Sequence, residues 1–190
     1  MKQGIVIVTS ESTKDFLGEC INSCLQDKYP ILVVSNNNYV PTIPEISKCE
    51  LVINDWNGFE LGGIVRGMER FDEFILMQDT AVVKDQELFD ISFNYNGTVY
   101  YTDYLAFHYS AKFRTEILKK MNIPRVTDRR EAIDMERKFG VSYLIAETGN
   151  KMMIEPPVPS GDYKYPKATM HGRKGIIVEN KYIRKHKTNY

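Results

Sequence analysis

Four short apolar runs in the first eighty residues constrain this chain more than any other feature. They are Gly4 to Thr9 (GIVIVT), Ile31 to Val34, Leu51 to Ile53 and Phe74 to Met77. Each is too short for a helix and lacks polar alternation, and the first three are rich in β-branched residues. That is the pattern of a strand buried on both faces. Such strands need helices to cover them, and the segments between them supply candidates. Ser12 or Thr13 is placed to cap a helix from about Asp15 to Gln26, with Phe16, Cys20, Ile21 and Cys24 on one face. Glu60 to Arg70 reads as a second helix although it contains Gly62, Gly63 and Gly67. Each glycine in a helix costs about 1 kcal/mol relative to alanine. Three of them predict that something packs closely against this backbone. The alternation predicts an α/β fold with a mostly parallel sheet, right-handed crossovers and flanking helices.

In parallel sheets ligands bind beyond the carboxyl ends of the strands. Those ends carry Thr9-Ser10-Glu11, Ser35-Asn36, Asn54-Asp55 and Gln78-Asp79-Thr80. Such residues suit ordinary loops as well as a ligand rim; four polar strand ends together favour the rim. The second half is less regular. It reads as a short helix at Asp85 to Phe89, a strand at Thr98 to Thr102, another at Phe107 to Tyr109 and an amphipathic helix at Lys112 to Met121. Thr127-Asp128 then caps a helix from about Arg129 to Phe139, with Glu131 completing a capping box and Gly140 as the stop. Val141 to Ile145 is a short helix or strand. Glu155 to Pro166 is an extended segment or flexible loop, and Lys181 to Lys187 is a basic end, either solvated or in contact with phosphates.

Composition excludes several classes. The 190 residues suit one domain, and 25 basic against 25 acidic residues leave no net charge to steer the protein to nucleic acid or anionic membrane. No segment is apolar for long enough to span a bilayer. The first apolar run is followed at once by polar and charged residues without a cleavage site, so it reads as a strand and not a signal peptide. Cys20, Cys24 and Cys49 are odd in number and cannot form a complete disulfide framework. Reduced thiols predict a cytoplasmic protein. There is no P-loop, no G-x-G-x-x-G, no G-x-S-x-G, no H-E-x-x-H and no paired C-x-x-C.

Asn57 to Val83, NGFELGGIVRGMERFDEFILMQDTAVV, resembles the nucleotide-sugar glycosyltransferases of the GT-A fold, in particular their family 2-like branch. That family has an N-x-G-x-x-x-A-x-N-x-G loop and helix, then a buried strand ending in the acidic D-x-D motif. Asn57, the glycine-rich helix and FILM leading to Asp79 match this frame. GIVIVTSES is similar to the family's first strand, and His171-Gly172 to its C-terminal histidine. D-x-D is reduced here to the single carboxylate of Asp79.

The resemblance implies a single GT-A-like domain over 1–190, with 155–190 as a C-terminal lid or tail. It implies transfer of a sugar from a nucleotide-diphosphate-sugar donor, a UDP-sugar being favoured, to a hydroxyl acceptor on a glycan, protein or nucleic acid. Asp79 and His171 would hold Mn²⁺ or Mg²⁺. Thr9, Ser10 and Glu11 would meet the ribose or base, Asn36 and Asp55 the base. Arg66, Arg173 and Lys174 would line the diphosphate side, and Gln78 would be a further donor-binding residue. Asp128 or Glu131 would be the general base of an inverting reaction, with Asp103 a further candidate; the capping box explains the first two equally well. Two rivals share the fold. One is a non-catalytic module that binds a nucleotide or a partner. The other is a sugar-nucleotide nucleotidyltransferase, whose glycine-rich basic loop is replaced here by TSESTKD.

Overall fold

A computed structural model describes residues 1–56, 58–100, 111–123, 125–126, 128–146, 151–154, 158–164 and 174–188. Strand β1 (Gln3–Thr9) leads through a 3-10 turn (Glu11–Thr13) into helix α1 (Lys14–Cys24). Then come β2 (Ile31–Ser35), β3 (Glu50–Ile53), helix α2 (Phe59–Arg70) and β4 (Glu73–Gln78). These four strands are parallel, as the apolar runs predict. Side chains of β1 alternate between two cores. Ile5 and Ile7 pack with Leu17, Cys20, Ile21 and Cys24 of α1. Val6 and Val8 pack on the other face with Leu61 and Ile64 of α2. A strand with a helix against each face must be apolar throughout, which is why GIVIVT shows no alternation.

The rest of the chain completes two sheets. After β5 (Ala81–Val83) come α3 (Glu87–Asn94), β6 (Thr98–Tyr100), β7 (Ala111–Arg114), α4 (Thr115–Leu118) and α5 (Arg129–Ala146). The described strands end with β8 (Lys151–Met153), β9 (Val158–Lys164), β10 (Lys174–Glu179) and β11 (Ile183–Thr188). The first sheet has the order β3-β2-β1-β4-β7-β6-β8, and the second the order β5-β11-β10-β9. The second sheet is antiparallel and grows from the end of β4, with Ala81 opposite Lys185. Among the described residues no helix is long and apolar enough to cross a membrane.

Four readings from sequence are corrected here. Lys112 does not open a helix. It sits in β7, antiparallel to β4, with its ammonium 3.2 Å from the Glu73 carboxylate and donating to the Tyr95 carbonyl at 2.7 Å. Only the one-turn helix α4 follows. Gly140 does not end α5, because Phe139 and Tyr143, four apart, are both buried. The Tyr143 hydroxyl accepts from Thr98 Oγ1 at 3.1 Å and from the Arg114 N–H at 3.0 Å, which anchors the helix past the glycine. The basic end is strand β11, and its Lys185 is buried. His186 is half-buried with its ring edge-on to Phe16 at 4.9 Å.

The glycines of α2 do meet close neighbours. A Cβ at Gly63 would stand 2.3 Å from Val8 Cγ2 and 2.7 Å from Leu76 Cδ1, and one at Gly67 would meet the Phe74 ring at 2.7 Å. Val8 is β-branched, buried and unable to rotate away. Gly63→Ala should therefore destabilise the fold by about 1–3 kcal/mol through overpacking. Helix propensity alone would make the same change stabilising by about 1 kcal/mol. Urea unfolding decides the sign, and a variant as stable as the parent would remove the close-packing account.

Candidate functional site

In the order β3-β2-β1-β4 the chain reverses direction across the sheet between β1 and β4. Crevices at such a reversal, beyond the carboxyl ends, are where open α/β sheets bind ligands. Here that point is occupied by Asp79. Its N–H donates to the Val8 carbonyl at 3.0 Å, which pins the residue to the end of β1. Its carboxylate is 2% exposed. Thr9 Oγ1 donates to Asp79 Oδ2 at 2.6 Å and Thr13 Oγ1 donates to the same oxygen at 2.5 Å. Thr13 is the residue before α1, as its capping propensity predicts, but its hydroxyl makes no cap bond. The site has taken that hydroxyl instead.

Burial pushes the Asp79 carboxyl up to about 7, against the pull of the two threonine hydroxyls and the Lys185 ammonium; the Glu60 carboxylate adds to the rise. Lys185 is 3% exposed and donates to Gln78 Oε1. The end of β4 thus presents a neutral amide, a carboxyl poised near neutrality and a buried cation. Beside them Glu60, in the first turn of α2, is buried and its N–H donates to Glu136 Oε1 on α5 at 3.3 Å. Burial raises the Glu136 carboxyl, and its hydrogen bonds with Glu60 lower it. Acidic groups at a helix N-terminus gain from the exposed amides and the helix dipole.

The loop after β2 closes the other side. Asn37 and Asn38 adopt left-handed φ values of 59° and 55°, which asparagine tolerates better than most residues. Asn37 N–H donates to the Trp56 carbonyl and Asn38 N–H to the Asn54 carbonyl. The turn brings Tyr39 close to Asp79. Burial raises the Tyr39 phenol, and the carboxylates of Glu11, Asp79 and Asp15 raise it further.

No family model and no curated protein matches this sequence. Solved structures do match. TarS of S. aureus, residues 1–349, superposes with a TM-score of 0.60 at 11% identity, covering 81% of this chain and 58% of that one. The glycosyltransferase GlyE of Streptococcus pneumoniae TIGR4 gives 0.50 at 10% identity, covering 82% of this chain and 45% of that one. The fold is GT-A. The chain spans between two fifths and three fifths of the length of these two structures.

Asp79 directly follows the last residue of β4 at this reversal. Thr9 and Gln78 join it, and Ser10 and Glu11 continue from β1, Ser10 half-buried and Glu11 exposed. Asn36 is 1% exposed and held within a chain of polar side chains. Its Nδ2 donates to the Phe59 carbonyl at 3.1 Å, Asn54 Nδ2 donates to its Oδ1 at 3.1 Å, and Arg66 Nε donates to Asn54 Oδ1 at 2.9 Å. Arg66 also pairs with Glu69 at 3.1 Å. Asp55 and Arg66 meet elsewhere, around a cavity of about 270 Å³ that Trp56 and Arg125 complete. Asp55 pairs there with Arg125 at 3.2 Å. Asp128 caps α5, its Oδ1 accepting the Glu131 N–H at 3.1 Å, and both residues are exposed. Lys174 opens β10 opposite Lys164. Asn57, Asp103, His171 and Arg173 lie outside the described residues.

Sequence reasoning missed Lys185, Tyr39, Glu60 and Glu136, and gave Thr13 a different task. Glu60 lies in the motif that carries the resemblance, so a signal existed. Lys185 had only a weak one, because it sits in a basic run that reads either as a solvated end or as a contact for phosphates.

The carboxyl of Asp79 sets a stability prediction. Its folded-state value, about 7, lies above the ordinary 3.8, so the folded protein holds an extra proton between these values. That contribution is complete at low pH and is lost as pH rises through about 7. Asp79→Asn keeps a neutral acceptor and removes the titration. Relative to the parent it should gain stability on the order of 3 kcal/mol between pH 5 and pH 8. Urea unfolding at both pH values measures this; an unchanged difference between the two proteins would show that Asp79 ionises normally.

Proposed function

We propose that this chain transfers a sugar from a nucleotide-diphosphate-sugar donor to a hydroxyl acceptor. The observation that carries the reading is the cluster of Thr9, Thr13, Gln78 and Asp79 at the β1–β4 reversal of a GT-A fold. A donor laid across the carboxyl ends meets Thr9, Ser10 and Glu11 with its ribose or base, beside the Tyr39 ring, whose face suits a nucleobase. Its diphosphate then lies toward Gln78. Asn36 supports this surface from behind through the Phe59 carbonyl, while Asp55 and Arg66 line the neighbouring cavity. Arg173 and Lys174, in the 155–190 segment, add positive charge beside the donor.

In the reaction an acceptor oxygen bonds to the anomeric carbon, the bond from that carbon to the diphosphate breaks, and the nucleoside diphosphate leaves. An inverting course needs a base for the acceptor proton. Asp128 and Glu131 are the proposed candidates because both are exposed where an acceptor can reach them. The acceptor is a glycan, protein or nucleic acid, the favoured donor is a UDP-sugar, and the proposed compartment is the cytoplasm. The resemblance also implies Mn²⁺ or Mg²⁺ on Asp79 and His171. Among the described residues no group of three or more His, Cys, Asp or Glu is arranged to hold a metal ion. Asp79 Oδ2 already accepts two hydroxyls and an ammonium lies beside it. These described residues do not fit a divalent ion.

Thermal shift with UDP, UDP-sugars, GDP-sugars and nucleoside triphosphates tests the proposal. A nucleotide-sugar at a hundred times its Kd should stabilise the protein by about 2.7 kcal/mol, and incubation should release nucleoside diphosphate. Stabilisation without release identifies a non-catalytic binding module. Stabilisation by triphosphates alone points to a nucleotidyltransferase, and no shift with any nucleotide sinks the reading.

A further inference from the structure

The cavity beside β3 carries charged groups that contribute little to folding. Asp55 and Trp56 follow β3, Val65 and Arg66 come from α2, and Ile123 and Arg125 from the segment between α4 and α5; together they line about 270 Å³. Asp55 and Arg125 pair at 3.2 Å with side chains 74% and 65% exposed. An ion pair so exposed adds little to stability and opens at little cost. The groups beside it are held in place. The Trp56 carbonyl accepts from the Asn37 N–H at 3.1 Å, and its ring lies against Gly58, where a Cβ would stand 2.4 Å from Cζ3. The Arg66 guanidinium is fixed at two points, Nε donating to Asn54 Oδ1 at 2.9 Å and Nη1 to both Glu69 carboxylate oxygens at 3.1 Å. The Arg125 guanidinium lies over the Trp56 ring, 5.5 Å from its centroid.

Charge, size and surface narrow the ligand. The two guanidinium groups are matched by the carboxylates of Asp55 and Glu69, so the cavity favours neither an anion nor a cation. Its volume falls just below the roughly 300–1,000 Å³ of sites for drug-sized ligands, which leaves room for a single ring. Val65, Ile123 and the indole supply apolar surface, Asp55 accepts hydrogen bonds and the guanidinium groups donate them. A neutral pyranose matches all of these. Its faces are C–H groups, and each hydroxyl on its rim both donates and accepts, so a ring that opens the Asp55–Arg125 pair gives both members a new partner.

We propose that this cavity is a saccharide-binding site that takes one neutral pyranose unit of a glycan chain between Trp56, Asp55, Arg66 and Arg125. Strands β2 and β1 separate β3 from β4 and Asp79, three strand spacings or about 14 Å. One ring cannot bridge that span, and a chain of rings can. The acceptor in the proposed function is then a glycan, anchored here by a unit remote from the reacting hydroxyl, which holds the reacting end in position. That last step rests on the proposed function; the binding itself does not.

Trp56 is the only tryptophan of the chain, so its fluorescence reads the cavity directly. The full chain is titrated with glucose, galactose, N-acetylglucosamine, maltotriose and chitotriose, with glycerol and inorganic phosphate as controls. Glucose or N-acetylglucosamine should change the emission with a Kd on the order of 1–10 mM, and its trisaccharide should bind at least about threefold more tightly. The controls should leave the emission unchanged. Asp55→Ala and Arg125→Ala, both at exposed positions, should each weaken the saccharide by at least about fivefold. A trisaccharide no tighter than its monosaccharide marks a site for free sugar and overturns the glycan anchor. No response to any saccharide, or an affinity unchanged in both variants, overturns the site. So does uridine or guanosine binding in calorimetry that Asp55→Ala abolishes, which gives the cavity to a nucleobase. Saccharide binding without any nucleotide-sugar binding leaves this site standing and removes the proposed function. Release of nucleoside diphosphate without saccharide binding does the reverse.

Discussion

The close approach of α2 to the sheet is the constraint on which the rest of the structure depends. Gly63 and Gly67 let the helix backbone lie against Val8, Leu76 and Phe74 without an intervening side chain. The same approach at Gly62 leaves room for the Asn36 and Asn54 amides, which would otherwise stand 2.8 and 2.9 Å from a Cβ. The helix is thereby lowered onto the crossover between β2, β1 and β4. Its first turn, with Glu60, lies level with the carboxyl ends of those strands. A helix with ordinary side chains at these three positions would ride higher, and the Asn36–Asn54–Arg66 chain of hydrogen bonds would lose its geometry.

That approach has a second consequence. The crevice at the reversal between β1 and β4 is walled by helix on one side and by β11 on the other, so its polar groups are buried or half-buried. Buried polar groups must be satisfied by one another. Thr9 and Thr13 are therefore both committed to Asp79, Gln78 to Lys185, and Glu60 to Glu136. The fold is shared at 11% identity, and strand order and helix placement set where its crevice lies.

The second sheet is completed by a segment distant in sequence. β5 is three residues long and cannot hold a sheet together alone. It serves as the template onto which β11 docks, and docking delivers Lys185 from more than a hundred residues downstream of Gln78. Burial of Ile183 and of the Lys185 side chain anchors the strand, so the cation is positioned by a rigid ladder instead of a loop.

The first half of the fold was legible because its signals are local. GIVIVT is apolar throughout because helices cover both faces of β1, and the glycines of α2 advertise a close contact. Polar residues at the ends of β1 and β4 marked Thr9 and Asp79 before any coordinates. The later elements depend on partners far away in sequence. Lys112 looks like the polar face of a helix until Glu73 and the Tyr95 carbonyl bury it in β7. Gly140 looks like a stop until Tyr143 is tied to Thr98 and Arg114. Thr13 reads as a cap because capping is a local bond, and only the sheet brings Asp79 close enough to compete for its hydroxyl. Lys185 lies in a run that reads as a solvated end or a phosphate contact because composition cannot tell which side of a strand faces inward; pairing of β11 with β5 sets that register, and with it the burial of Lys185.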